Sequence, residues 1–479
     1  MQNMETDGMK KEILYLKIAG IIEKQILNGT LRLGEKIPSI RTVQKVYNVS
    51  INTVRQAFLE LESKSLIESV PKSGYFVSKA SQRKFSLPSV IILDSLQKEK
   101  HPEDLFHKTF ASSENTDITH FSLGLPEKTL LPIAKLNKSV AAVMRSLANG
   151  GVTYESVQGN LNFRRTVARW AFMLEGKITE DDVIATSGAM NGMFTCLMAV
   201  TKPGDKIAVE SPAYFGILKM ISAMGLEAVE IPSDPVTGLD LDALKKVLPT
   251  ISACCFVVNF NNPMGTLMPD DNKKELVRML TERDIPLIEN DIFRNVYYGL
   301  ERPKPCKAFD EAGIVMLVNS VSKTLAPGYR VGWIIPGKYK DKIIQQKLIQ
   351  TISTPALYQE TISHFLENGR YDHHLHTFRK TVHSNCLKLL QGIEDYFPDN
   401  TKVSQPAGGF MLWVELDKKI DTVQLFDIAI RQNISFAPGR MFTQYNQYNN
   451  CMRLNFAMNW NEKINADLKT LGQIVKDAY

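Results

Sequence analysis

The stretch Ser320-Val-Ser-Lys-Thr-Leu-Ala-Pro-Gly-Tyr-Arg330-Val-Gly-Trp333 decides the reading of this 479-residue chain. It follows an apolar run at 314–318 that reads as a strand, so Lys323 stands where a loop leaves a strand's carboxyl end. Ligands of open α/β sheets bind at such ends. The lysine lies among the hydroxyls of Ser320 and Ser322, with Arg330 seven residues on. An amine beside hydroxyls and a guanidinium suits a Schiff base next to a bound phosphate. A lone loop lysine is more often solvated surface, so the reading depends on what the other strand ends carry.

Further strands are expected at 183–186, 206–209, 228–231, 254–258 and 286–289, with helical patterns such as 241–248 and 271–281 between them. That alternation predicts an α/β domain with a mostly parallel sheet. Its strand ends carry chemistry. Thr186-Ser187-Gly188-Ala189 follows one strand and precedes a helix, and its small residues let backbone N–H groups approach a phosphate. Asn259-Phe-Asn-Asn-Pro-Met-Gly265 follows another, and Glu289-Asn290-Asp291 a third.

The N-terminal sixth is different. Residues 1–80 hold twelve Lys and Arg against eight Asp and Glu, a large share of the chain's net charge of +6. Such asymmetry suggests an anion-binding module. Leu14, Ile18, Ile21, Ile22 and Ile26 recur at helical spacing, with Gly29 as a stop. Pro38-Ser-Ile-Arg41 opens a second helix, with the proline at a tolerated early position. Asn48 marks a turn, and Ser50 caps a third helix over 51–62. Val54, Phe58 and Leu61 form its apolar stripe, leaving Asn52, Thr53, Arg55 and Gln56 off it. Two runs, 66–70 and 74–77, flank Pro71-Lys72-Ser73-Gly74 as a hairpin. The pattern is a helix-turn-helix followed by a wing.

Residues 79–117 break the pattern, are rich in Ser, Lys and Glu with one apolar cluster at 90–93, and read as an interdomain linker with room for one short helix. With 44% hydrophobic and 23% charged residues, the composition excludes disordered, collagen-like and small disulfide-stapled classes. No apolar run is long enough to span a bilayer, and the polar start lacks a signal peptide's apolar stretch. Six scattered cysteines without a C-x-x-C pair read as reduced thiols of a cytoplasmic protein, with Cys254 and Cys255 in the core. His373, His374 and His376 have a metal-like look, but they fall in what reads as a helix start, and no metal site is assigned.

Residues 11–78 resemble the winged helix-turn-helix of the GntR family of bacterial regulators, on Gly34-Glu-Lys-Ile-Pro-Ser-Ile-Arg41, Val49-Ser-Ile-Asn-Thr-Val-Arg55 and Ser73-Gly-Tyr-Phe-Val77. The resemblance implies double-stranded operator DNA as partner, touched by Arg41, Ser50, Asn52, Thr53 and Arg55, with Lys72, Ser73 and Gly74 meeting the minor groove. Arg and Lys neutralise phosphates, and Asn and Arg can read base edges.

From residue 118 on, the chain resembles the fold-type I aminotransferases, most specifically in Ser322-Lys323 and 327–333. The implied cofactor is pyridoxal 5'-phosphate, joined to Lys323. By the same match Arg330 holds its phosphate, with Ser187, Gly188, Ala189, Ser320 and Ser322 in the phosphate cup. Tyr214 stacks on the ring and Asn262 bonds its phenolic oxygen. Tyr154 reaches the partner subunit's phosphate, and Arg453 pairs with a substrate carboxylate, as a planar guanidinium does well. The chain departs from the family at the ring nitrogen. Spacing back from Phe293, which replaces a tyrosine, puts Asn290 where an aspartate is usual and Asp291 one residue on. Asp291 is the better electrostatic partner and is expected to serve.

Together the halves resemble the MocR subgroup of GntR regulators. The expected chain is multidomain. Residues 1–78 form an α+β winged helix-turn-helix, 79–117 a linker, and 118–479 an α/β aminotransferase-like domain with a large mostly parallel sheet and a small C-terminal α/β domain. The implied function is transcriptional control by a homodimer that responds to the cofactor or to an amine or amino-acid effector. The alternative is an active pyridoxal-phosphate-dependent aminotransferase with a basic appendage, which predicts useful amino-transfer rates and no sequence-selective DNA binding.

Overall fold

The computed structural model describes residues 2–28, 30–70, 73–78, 85–91, 105–106, 108–109, 115–171, 178–299, 301–367 and 369–479. Three helices, α1 (Gln2–Leu27), α2 (Ile40–Tyr47) and α3 (Ile51–Ser63), precede a hairpin of β1 (Ile67–Val70) and β2 (Gly74–Val77). Ser39 caps α2, accepting from the Thr42 N–H, so Pro38 lies before the cap and outside the helix. Asn48 ends α2 in the left-handed region at φ 49°, a conformation asparagine tolerates better than most residues. Ser50 then caps α3 by accepting from the Thr53 N–H at 3.1 Å. Ile18, Ile22 and Ile26 of α1 pack with Val43, Val54, Phe58, Leu61 and Val77 in a core separate from the others. Leu14 is exposed, Gly29 and Lys72 lie outside the described residues, and hairpin pairing runs from Ile67 opposite Val77 to Val70 opposite Gly74.

The described part of the linker is fastened down. The Ser89 N–H and hydroxyl both donate to the Glu415 carboxylate, the Val403 N–H donates to the Ser86 carbonyl, and Leu105 joins the core of the C-terminal part. Residues 85–91 are neither helix nor strand, 92–93 of the apolar cluster lie outside the described residues, and 105–106 and 108–109 are helical.

The large domain is built on an eight-stranded sheet. After the short β3 (Thr119–His120), its strands are β4 (Ile184–Thr186), β5 (Lys206–Ser211), β6 (Glu227–Asp234), β7 (Gly238–Leu239), β8 (Ala253–Phe256), β9 (Leu287–Asn290), β10 (Val315–Ser320) and β11 (Gly332–Ile335). Their order is β4-β11-β10-β9-β8-β5-β6-β7. The run from β10 to β6 is parallel throughout, β11 is antiparallel to both neighbours, and β7 is antiparallel to β6. β8, β9 and β10 are buried along their whole length, as strands covered on both faces must be. The six expected strands all form, within a few residues of their read boundaries. Cys254 and Cys255 are buried in β8, and all six cysteines are buried and free.

The C-terminal part adds an antiparallel sheet ordered β12 (Lys402–Val403), β13 (Met411–Glu415), β16 (Cys451–Asn455) and β15 (Ala437–Pro438). Helices Arg370–Tyr396 and Glu462–Asp477 pack against each other and share one apolar core with it. β14 (Ile434–Ser435) pairs in parallel with β3, tying residue 119 to this domain. Among the described residues no helix is long and apolar enough to cross a membrane.

Candidate functional site

The carboxyl ends of β4, β5, β8, β9 and β10 converge on a cavity of about 190 Å³ lined by Ala189, Tyr214, Asn262, Asn290, Ser322, Lys323 and Arg330 among others. The topology causes this: parallel neighbours deliver the loops that follow them to one edge of the sheet. Ser320 ends β10 and caps the short turn that carries Lys323, its hydroxyl accepting from the Ser322 N–H at 3.1 Å and donating to the Val331 carbonyl at 2.8 Å. The Lys323 amine donates to the Gly124 carbonyl at 2.5 Å. Desolvation, helped by the Arg453 and Arg330 charges, lowers its pKa to about 7. An amine so tuned is partly uncharged near neutrality, which a nucleophile requires.

Arg330 faces the start of the helix Ala189–Val200. Its guanidinium donates to the Ser187 carbonyl and the Ser322 hydroxyl, each at 3.3 Å. Gly188, at φ +83°, makes this possible, since a Cβ there would stand 2.3 Å from the guanidinium. Backbone N–H groups of a helix start and an arginine thus share one wall, the arrangement that binds phosphate.

On the opposite side Arg453, on β16, is 1% exposed. It donates to the Asn262 side-chain oxygen at 3.0 Å and to the Ser122 carbonyl, and its guanidinium lies over the Phe442 ring. Burial lowers its pKa to about 10, with the Tyr214 phenol opposing. Tyr214 is pushed up by burial in turn. Gly216 leaves room for the Tyr214 ring, which would lie 2.5 Å from a Cβ there.

One expected residue, Asp291, is not where the sequence reading put it. Asn290 lines the cavity and Asp291 does not. The Asp291 carboxylate is ion-paired with Arg294 and accepts from the side-chain amides of Asn259 at 3.0 Å and Asn319 at 3.4 Å. Extended residues alternate faces, so adjacent residues at the end of β9 cannot both reach the cavity. Tyr154 is 81% exposed, away from this chain's own cavity. Ser187, Gly188, Ser320 and Arg453 border the site through the contacts above without lining the cavity itself. Sequence reasoning missed Gly124, Leu125 and Ser122, and nothing local marked them. His374 is a structural residue, bonded at 2.6 Å to the Thr324 carbonyl.

On the winged helix, Arg41, Ser50, Asn52, Arg55 and Ser73 are exposed. Thr53 is corrected: it is 5% exposed, its hydroxyl bonded to that of Ser50 at 2.8 Å, so it completes the cap and does not face DNA. Gly74 takes φ +113°, which the wing's tight return requires of a glycine.

A family model for aminotransferase class I and II matches residues 126–466, and one for bacterial regulatory proteins, gntR family, matches residues 14–77. The chain is 34% identical over 466 residues to the uncharacterized HTH-type transcriptional regulator YjiR of Escherichia coli K12, spanning 96% of this chain and 98% of that one. It is 31% identical to the uncharacterized HTH-type transcriptional regulator YdcR of the same organism, over 98% and 100% of the two chains. The crystal structure of LysN, an alpha-aminoadipate aminotransferase from Thermus thermophilus complexed with N-(5'-phosphopyridoxyl)-L-leucine, superposes with a TM-score of 0.72. It shares 26% identity over 78% of this chain and 95% of that one.

Proposed function

As the chain belongs to the class I and II aminotransferase family, fused behind a GntR-type DNA-binding domain as in MocR-type regulators, we propose that it is a transcriptional regulator that binds pyridoxal 5'-phosphate and senses an amino compound through it. The observation that carries this is the convergence of Lys323, Arg330, Tyr214 and Asn262 on one cavity in a chain whose recognition helix α3 presents Asn52 and Arg55 to solvent.

The residues fit the cofactor. Gly188 leaves the space a phosphate cup needs, and the cavity's lysine, arginine and amide side chains suit a phosphate and a ring with polar edges. When bound, pyridoxal phosphate supplies an aldehyde that condenses reversibly with amines. Lys323 provides the resident amine, Arg330 and the helix start at Ala189 hold the phosphate, Tyr214 packs on the ring, and Asn262 meets its phenolic oxygen. Arg453 stands ready for an effector's carboxylate. An effector amine competing with Lys323 biases the arrangement of the DNA-binding domains by its differential affinity for the two states.

We place the protein in the cytoplasm, where its DNA is, and propose a homodimer. Met144, Val152, Tyr154, Ile349 and Ile352 are exposed apolar or aromatic side chains, and a second copy would cover them. Tyr154, outside its own cavity, is then free to reach the partner's.

The test is binding to the protein's own upstream DNA, with and without pyridoxal phosphate, against a scrambled duplex at equal salt, because phosphate contacts alone give non-specific affinity. Selective binding that changes with the cofactor supports the reading. Equal binding to both duplexes, with fast amino transfer, transfers it to the enzyme alternative. Arg55→Ala should weaken operator binding by about 1–3 kcal/mol and leave the cofactor's visible absorption unchanged, read by titration and spectrum on one sample. With Lys323 titrating at about 7, the rate of cofactor uptake by cofactor-free protein should rise about tenfold from pH 6 to 8 and then level off. Stopped-flow absorbance reads this, and a flat profile contradicts it.

A further inference from the structure

We propose that Asn290 sets the chemical character of the pocket: its side-chain amide meets the cofactor's ring nitrogen, leaves that nitrogen uncharged, and makes the site a reversible amine receptor that does not drive amino-group transfer. This rests on the pyridoxal phosphate reading above.

Asn290 ends β9, is 5% exposed and lines the cavity. The neighbouring carboxylate cannot substitute, because Asp291 is turned away and its charge is taken up by Arg294, Asn259 and Asn319. Among the described residues, no Asp or Glu lines the cavity, whereas Lys323 and Arg330 do, and Arg453 stands behind Asn262. Positive neighbours without a carboxylate disfavour a protonated ring nitrogen. An amide both donates and accepts, so it can donate to the neutral nitrogen without charging it. Phe293, with its ring 5.8 Å from the Lys323 amine, presents an aromatic face where a phenol would add a hydrogen bond.

The consequence concerns the ligand's Cα–H bond. Losing that proton leaves an electron pair that the ring takes up well only when its nitrogen is charged. With the nitrogen neutral, the change in the pocket is amine exchange. The ligand's nitrogen replaces that of Lys323 on the cofactor carbon, and Lys323 departs as a free amine carrying the proton the ligand's ammonium brought. No oxidation or reduction occurs, and the ligand is recovered unchanged when the exchange reverses.

The full chain, loaded with pyridoxal phosphate carrying 15N in the ring, tests this by NMR. The wild type should show a neutral ring nitrogen from pH 6 to 9, and Asn290→Asp a protonated one at pH 7.5. Exchange of a bound amino acid's Cα hydrogen for solvent deuterium should accelerate about 100-fold in Asn290→Asp and stay slow in Asn290→Gln. A protonated nitrogen in the wild type at pH 7.5, or equal acceleration by Asp and Gln, overturns the proposal. Should Asn290→Asp fail to take up cofactor, the wild-type resonance alone decides. Absence of any cofactor absorption in the wild type would instead remove the pyridoxal phosphate reading beneath it.

Discussion

Alanine in place of Lys323 should abolish covalent attachment of pyridoxal phosphate completely. After borohydride reduction and digestion, mass spectrometry should find the cofactor on the peptide containing residue 323 in the wild type and on no peptide in the variant. The argument is geometric first. Among the described residues, Lys323 is the one lysine lining the cavity, held by the turn that Ser320 caps and aimed inward by its bond to Gly124. Its lowered pKa makes the amine available near neutrality, whereas an exposed lysine is almost wholly charged there. Without the covalent link, phosphate and ring contacts remain, so weak cofactor binding should persist without the visible band. A variant that keeps both band and adduct would contradict the assignment of Lys323.

Phe58→Ala should have the largest effect in the DNA-binding part. The ring is fully buried at the centre of the separate N-terminal core and meets Tyr75 of the wing edge-on, with centroids 4.9 Å apart. Truncating a buried phenylalanine costs about 3–5 kcal/mol. A unit of this size has a total stability of roughly 3–10 kcal/mol, so the change removes a large part of it. Operator binding should be lost or become strongly temperature-dependent. The cofactor spectrum should be unchanged, because the cavity's walls belong to other clusters. Calorimetry of the full chain reads both parts at once, as a lowered or vanished first transition and an unmoved second. A shift of both together would mean that the two units unfold as one.

Local chemistry makes the N-terminal unit readable. The serine that caps α3, the asparagine that ends α2 and the glycine at the wing's return each act within three or four residues of themselves. Strands β5, β8 and β10 are readable for a related reason: burial on both faces makes them largely apolar runs. What stays hidden is non-local. In sequence β11 reads as part of the lysine motif, and only the folded sheet shows it inserted antiparallel between β4 and β10. The two-residue strands β3, β7, β12, β14 and β15 are too short to show a period. The choice between Asn290 and Asp291 is lost to register, since one residue's slip along an extended segment exchanges its faces. The proximity of Ser122 and Gly124 to Arg453 and Lys323 spans 331 and 199 residues and leaves no mark in sequence.

Those last two contacts have a consequence for how the pocket is wired to the rest of the chain. The carbonyls of Ser122 and Gly124 belong to the segment by which the chain enters the large domain from the linker, and they hold the Arg453 guanidinium and the Lys323 amine. Joining Lys323 to the cofactor takes that amine away from Gly124, and seating a ligand's carboxylate on Arg453 competes with Ser122 and the Asn262 side chain. Each stage of filling the pocket thus loosens one clasp on the segment that leads back to the linker.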